Sequence, residues 1–152
     1  MGVEPAGEYD ERIALMRALI LASMIALGVS PAVALDRTEV TAVRLTISQQ
    51  MDALKKEDAR AAFAIVSPKL KARFTDSSSF MTMVREQFPV IINPQIVSFD
   101  DIQQTSYGLT QLLRLVDARG EPWLAFFVME RDKKGRWGVA NVVTVRLPSY
   151  EA

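Results

Sequence analysis

The residues of this chain that could do chemistry are carboxylates, amides and a few cations, because its 152 residues contain neither histidine nor cysteine. Without imidazole or thiolate, the usual zinc, copper and haem ligand sets are missing. So is the ordinary base that activates a serine or cysteine nucleophile. What remains is proton transfer by carboxylates with tyrosine or lysine as partners, or a hard cation held by oxygen. Asp100 and Asp101 are adjacent, and neighbours on a strand point to opposite faces, which argues against an acid–base dyad. Glu130 and Asp132 could share a face, but they flank the turn Lys133-Lys134-Gly135, where solvated charge is the ordinary explanation.

Polar residues set among apolar strand positions carry more information. Gln111 lies between Leu109 and Leu113, Arg114 between Leu112 and Val116, and Asn141 between Val139 and Val143. Buried there without a partner, each loses roughly 1–3 kcal/mol. Such a group either orients a ligand in an apolar cavity or sits at an edge, on a wet face or in a structural hydrogen bond. Tyr107, before Gly108, reads as a turn-packing residue with a proton donor as the other reading. Arg85 reads as a tie from its helix to a sheet carboxylate, or as an anchor for an anionic ligand. Trp123, at the start of an apolar strand, completes the ligand-binding candidates. No residue is singled out as catalytic, and no metal or other cofactor is implied.

Two kinds of element must position these residues. Val40, Val43, Ile47, Met51 and Leu54 recur at helical steps and predict a helix from about Thr38 to Lys55, with Asp36 and Glu39 as a capping pair. A second helix follows from Asp58, packing through Phe63 and Val66. Pro68 opens a short third helix with Leu70 and Phe74, and Asp76 or one of Ser77 to Ser79 caps a fourth. The apolar stripe of the fourth is Phe80, Met83, Val84 and Phe88.

From Pro94 the hydrophobic period changes to two. Gln95 to Ser106, Leu109 to Asp117, Trp123 to Arg131 and Arg136 to Arg146 predict a four-stranded antiparallel meander. Helices first and strands afterwards mean an α+β fold with the helices on one face of the sheet. Along the third strand Trp123, Ala125, Phe127 and Met129 point one way and Leu124, Phe126 and Val128 the other. A strand apolar on both sides needs cover on both. If the helices cover one side, the other needs sheet curvature, a ligand or a partner subunit.

Met16 to Leu35 reads as an export signal. Arg17 supplies the cation, Ala18 to Val29 the apolar core, Pro31 the helix break, and Ala32 and Ala34 the small residues before a cut at Ala34–Leu35. The core is about 12 residues long, short of the roughly 20 that span a bilayer. An uncleaved membrane anchor and an ordinary core helix are the alternatives. Glu4, Glu8, Asp10 and Glu11 against Arg12 give the preceding stretch the wrong sign, so Met16 is an alternative start. The expected organisation is a leader and signal over residues 1–34 and one domain over 35–152, periplasmic or secreted. No cysteine follows the cut to take a lipid anchor, and the membrane enters only through an uncleaved signal.

Residues 1–34 hold two of the chain's 18 Lys and Arg and four of its 18 Asp and Glu, leaving 16 against 14 in the domain. That near balance is no nucleic-acid footprint. The clusters at Lys55-Lys56, at Lys69, Lys71 and Arg73, and at Lys133-Lys134 read as solvated faces.

The run Ser79-Phe80-Met81-Thr82-Met83-Val84-Arg85, followed by Phe88-Pro89, Pro94 and Phe99, resembles the signature of a bacterial family known as domain of unknown function 4864. Trp123, Met129-Glu130-Arg131, Gly135 and Trp137 match its later pattern. The resemblance covers roughly Thr46 to Val143. It implies an exported protein with a cone-like, nuclear transport factor 2-like (cystatin-like) α+β layout, and it carries no catalytic residues across. The functional expectation is a noncatalytic module binding an apolar small molecule or a protein partner through its sheet face, a second copy among the candidates. The competing expectation is a carboxylate-dependent isomerase, lyase or hydrolase with a cone-shaped pocket.

Overall fold

Asp36 starts the first helix by accepting the Thr38 N–H at 3.3 Å, and the chain from there forms α1, Arg37–Lys55. A computed structural model describes residues 35–148; the anticipated signal segment and cut at Ala34 lie outside the described residues. Glu39 does not close a capping box with Asp36. Its carboxylate pairs instead with Arg131 at the far end of the third strand, and Arg131 also stacks over the Trp137 ring at 4.5 Å. The buried stripe of α1 is Val43, Ile47, Met51 and Leu54, as the spacing predicts, with Gln50 and Ala53 added.

Lys56 and Glu57 turn the chain, Glu57 with φ of +54°, and Asp58 caps α2, Ala59–Ala64. Ser67 caps α3, Pro68–Lys71. Asp76 caps α4, Ser77–Gln87, in a reciprocal capping box with Ser79. The buried residues of α4 are Phe80, Met81 and Val84, so Met81 takes the inward position expected of Met83, which is only half-buried. Phe63, Phe74 and Phe80 tie α2 and α4 together, two of the three ring pairs meeting edge to face with centroids 5.5 and 6.3 Å apart.

A short 3-10 turn, Pro89–Ile91, leads into β1 (Ile96–Thr105), β2 (Gly108–Val116), β3 (Pro122–Arg131) and β4 (Trp137–Arg146). They pair antiparallel in the order β1-β2-β3-β4, the meander the sequence predicts. Both edge strands carry an irregularity, β1 between Phe99 and Ile102 and β4 opposite Val128–Met129. Such bulges bend a sheet locally. The core lies between the helices and one sheet face, where Leu109, Leu113, Leu115, Ala125, Phe127 and Met129 are buried with the α1 stripe. The architecture is α+β, four helices on a four-stranded antiparallel sheet.

One close approach locks the helices to the sheet. Val66, after α2, forms a parallel bridge with Val139, the Ser67 N–H donating to Val139 O at 2.9 Å and the Val139 N–H to Ile65 O at 3.1 Å. Gly138 permits this: a Cβ there would stand 3.0 Å from both Ile65 O and Ser67 N.

Candidate functional site

The two faces of the sheet are built by the same strands and treated differently. Register places Leu112 opposite Phe126 and Phe126 opposite Val143, with Arg114, Leu124 and Val145 forming the next row and Thr110, Val128 and Asn141 the row on the other side. This is the face away from the buried residues Leu113, Ala125 and Phe127. At its centre Val128 is buried while Leu112, Leu124 and Phe126 are half-buried, and towards the edges Val143 is 44% and Ile96 56% exposed. No described helix lies over it.

The six sequence candidates do not converge. Gln111 is completely buried on the helix side of β2. Its Nε2 donates to the carbonyls of Asp100 (2.9 Å), Asp101 (3.2 Å) and Leu112 (2.8 Å), and its Oε1 accepts from Arg44 Nε at 3.2 Å. Arg44 also donates to the Asp100 carbonyl at 3.0 Å. Gln111 therefore pins the β1 bulge, and the two aspartates lie within that bulge rather than on a regular strand. Arg114 lies exposed on the open face and donates to Asp100 Oδ2 at 2.7 Å. Asn141 also lies on that face, exposed, its Oδ1 accepting the Val142 N–H at 2.9 Å.

Trp123 lies on the helix side, half-buried, and its ring N–H donates to Asp117 Oδ2 at 3.0 Å. Asp117 Oδ1 takes the N–H groups of Arg119 and Glu121, and these bonds, the Glu121 N–H foremost, hold its carboxyl below the usual carboxylate range. Asp132 does the same in the β3–β4 turn, where the Arg136 N–H is the main cause. Arg85 pairs with Glu57 in the α1–α2 turn at 3.2 Å, so the tie runs to another helix turn and not to a sheet carboxylate. Tyr107 is 85% exposed at the β1–β2 tip, so the ring does not pack the turn as the sequence suggests. Arg114 and Asn141 share the open face, Gln111 and Trp123 lie on the helix side in different hydrogen-bonded settings, and Arg85 and Tyr107 lie outside the sheet faces.

The buried polar side chains among the described residues are Gln50, Ser67 and Gln111, with no carboxylate among them. Glu130 pairs with Lys69 at 3.2 Å, and Asp132 with Arg136 at 2.8 Å. No described cluster of three or more acidic residues could hold a metal ion, and no described helix is long and apolar enough to cross a membrane. Gln50 was not among the sequence candidates, yet it sits in the α1 stripe one place before Met51, where a polar residue facing inward is legible from spacing alone.

The family described as Domain of unknown function (DUF4864) matches over residues 36–152. The chain belongs to this family. The DUF4864 match includes all the described strands and helices and every candidate residue above. No curated protein matches the chain. Among solved structures it is similar to an NTF2-like protein of unknown function from Shewanella baltica OS155, at 18% identity and a TM-score of 0.48, over 76% of this chain and 99% of that one.

Proposed function

We propose that this DUF4864 chain is an exported, noncatalytic binding module whose working surface is the open sheet face, and that the occupant of that face is a second copy of the domain. The observation that carries the reading is the continuous apolar centre formed by Leu112, Leu124, Phe126, Val128, Val143 and Val145 on a face no described helix covers. Soluble monomers seldom expose apolar patches beyond a few hundred Å². Four strands of nine or ten residues span roughly 19 by 33 Å at ordinary strand spacing, on the order of 600 Å². That is near the ~800 Å² each partner gives to a standard interface.

Charge supports the same occupant. Arg114 on the face is already neutralised by Asp100, so two identical faces meet without repulsion between unpaired arginines. Sheets pack face to face about 10 Å apart with strands roughly 30° from parallel, which lets Phe126 and Leu124 of one copy sit between side chains of the other. Catalysis by a carboxylate base lacks its main requirement, a buried Asp or Glu, among the described residues.

Export rests on the Arg17-led apolar run ending in Ala32-Val33-Ala34. N-terminal sequencing of the protein recovered from the cell envelope or medium is expected to begin at Leu35; a chain retained in the cytosol with its leader intact contradicts export. For the sheet face, native mass spectrometry at micromolar concentration is expected to give a dimer mass, reduced to monomer by Phe126→Glu. A wild-type monomer overturns the docking reading and leaves the export reading standing.

A further inference from the structure

The helix side of the sheet holds a cavity of about 280 Å³ where α1, α3 and α4 meet β4. Its wall combines the apolar residues Leu70, Phe74, Phe80, Val84 and Ile91 with the polar residues Arg73, Gln87 and, from β4, Asn141. Gln50 also forms part of that wall. It is 3% exposed, and its Oε1 is shut off from water with no hydrogen-bond partner. Its amide N–H donates only to Ala62 O, at a long 3.4 Å.

A buried amide oxygen without a donor is rare in folded proteins and is costly to keep. Leucine or methionine would fill the same place on the α1 stripe without that penalty. Gln111 shows the contrast within the same core: both ends of its amide are satisfied, with contacts to four other residues. Gln50 is half satisfied, and the unsatisfied half belongs to a residue that walls the cavity. The terminal amide torsion of glutamine is broad, so turning Oε1 towards the cavity loses little beyond the long bond to Ala62.

We propose that this cavity is a binding site for a compact, mostly apolar molecule carrying one hydroxyl, whose O–H donates to Gln50 Oε1. An apolar space of about 150 Å³ accepts a benzene ring, so this cavity suits a molecule of about two fused rings. The site uses the side of the sheet opposite the proposed docking face and stands independently of it.

The test compares 2-naphthol with naphthalene, two probes of nearly one shape that differ by a hydroxyl, binding to the full chain by ligand-detected NMR. Wild type is expected to bind 2-naphthol about tenfold tighter than naphthalene, the scale of a buried hydrogen bond gained. In Gln50→Met the preference disappears while naphthalene still binds. Leu70→Trp narrows the cavity from a half-buried wall position, leaves Gln50 in place and weakens both probes together. Absence of binding in wild type, a hydroxyl preference that survives Gln50→Met, or undiminished binding in Leu70→Trp overturns the proposal. The oligomer mass is unchanged by Gln50→Met, which separates this result from the fate of the docking reading.

Discussion

The helix-side and open faces of the sheet differ less in composition than in what lies over them. β3 alternates Ala125, Phe127 and Met129, all buried under the helices, with Leu124, Phe126 and Val128, of which only Val128 is buried. Two apolar sets on one strand have one cover between them within the described residues. The difference shows where stability is already supplied by intramolecular packing and where apolar surface is left for association. A residue on the first face should act mainly on folding, and its neighbour in sequence mainly on assembly.

The sharpest break between the faces is expected at Phe127 and Phe126. Phe127→Ala removes a fully buried ring and should cost about 4 kcal/mol in denaturant unfolding. Phe126→Ala, one residue earlier, should cost the dissociated chain about 1 kcal/mol, with its larger effect on dimer mass. Equal losses in monomer stability would erase the distinction between the faces.

The next effect belongs to the polar pin beneath the helix side. Gln111→Leu removes the acceptor of Arg44 Nε and the amide donor to the Asp100 and Asp101 carbonyls, leaving Arg44 only its bond to Asp100 O, and a loss of about 3 kcal/mol is expected by thermal unfolding. Unchanged or raised stability would mean that Gln111 is held for a ligand and not for the bulge. Gly138→Ala should follow at about 2 kcal/mol, because its new methyl meets backbone of the α2–α3 corner on two sides. A neutral result would show that the Val66–Val139 bridge yields easily.

The smallest effect is electrostatic and lies at the turns. The carboxyls of Asp76, Asp117 and Asp132 are held below their usual range, chiefly by the backbone N–H groups of Ser79, Glu121 and Arg136. A depressed folded-state pKa stabilises the fold above the unfolded value, about 3.9 for aspartate, and that stabilisation is lost as pH falls through the lower folded value. The melting temperature should therefore hold above about pH 5 and drop below about pH 4. Asp117→Asn should start from lower stability at neutral pH and lose less on acidification. An acid slope identical to wild type would assign the loss to other groups.

Much of the fold was legible because each element carries its own punctuation. Asp36, Asp58, Ser67 and Asp76 each accept a backbone N–H at a helix start, and the strands are separated by turns at Gly108, Gly120 and Gly135, all with positive φ. What was hidden is long-range. The periodicity of α4 does not reveal that Met81 is buried while Met83 is only half-buried. Adjacent aspartates on an apparent strand do not announce a bulge, because the residues that hold it lie on other elements, Gln111 on the next strand and Arg44 on α1. Tyr107, exposed at its turn, and Arg85, tied to Glu57 and not to the sheet, show the same limit: local sequence says that a turn or a tie exists without saying what stands opposite. The open face was legible from β3 alone, since seven consecutive apolar residues, Trp123 to Met129, cannot all be buried by helices on one side.

Whether the open face is covered in the working molecule is measured directly by methyl NMR with a soluble paramagnetic probe. The methyls of Leu124, Val143 and Val145 are expected to be shielded from the probe at high protein concentration and to become accessible on dilution, while those of Leu113 stay shielded throughout. Methyls on the open face that are equally accessible at every concentration would contradict that coverage.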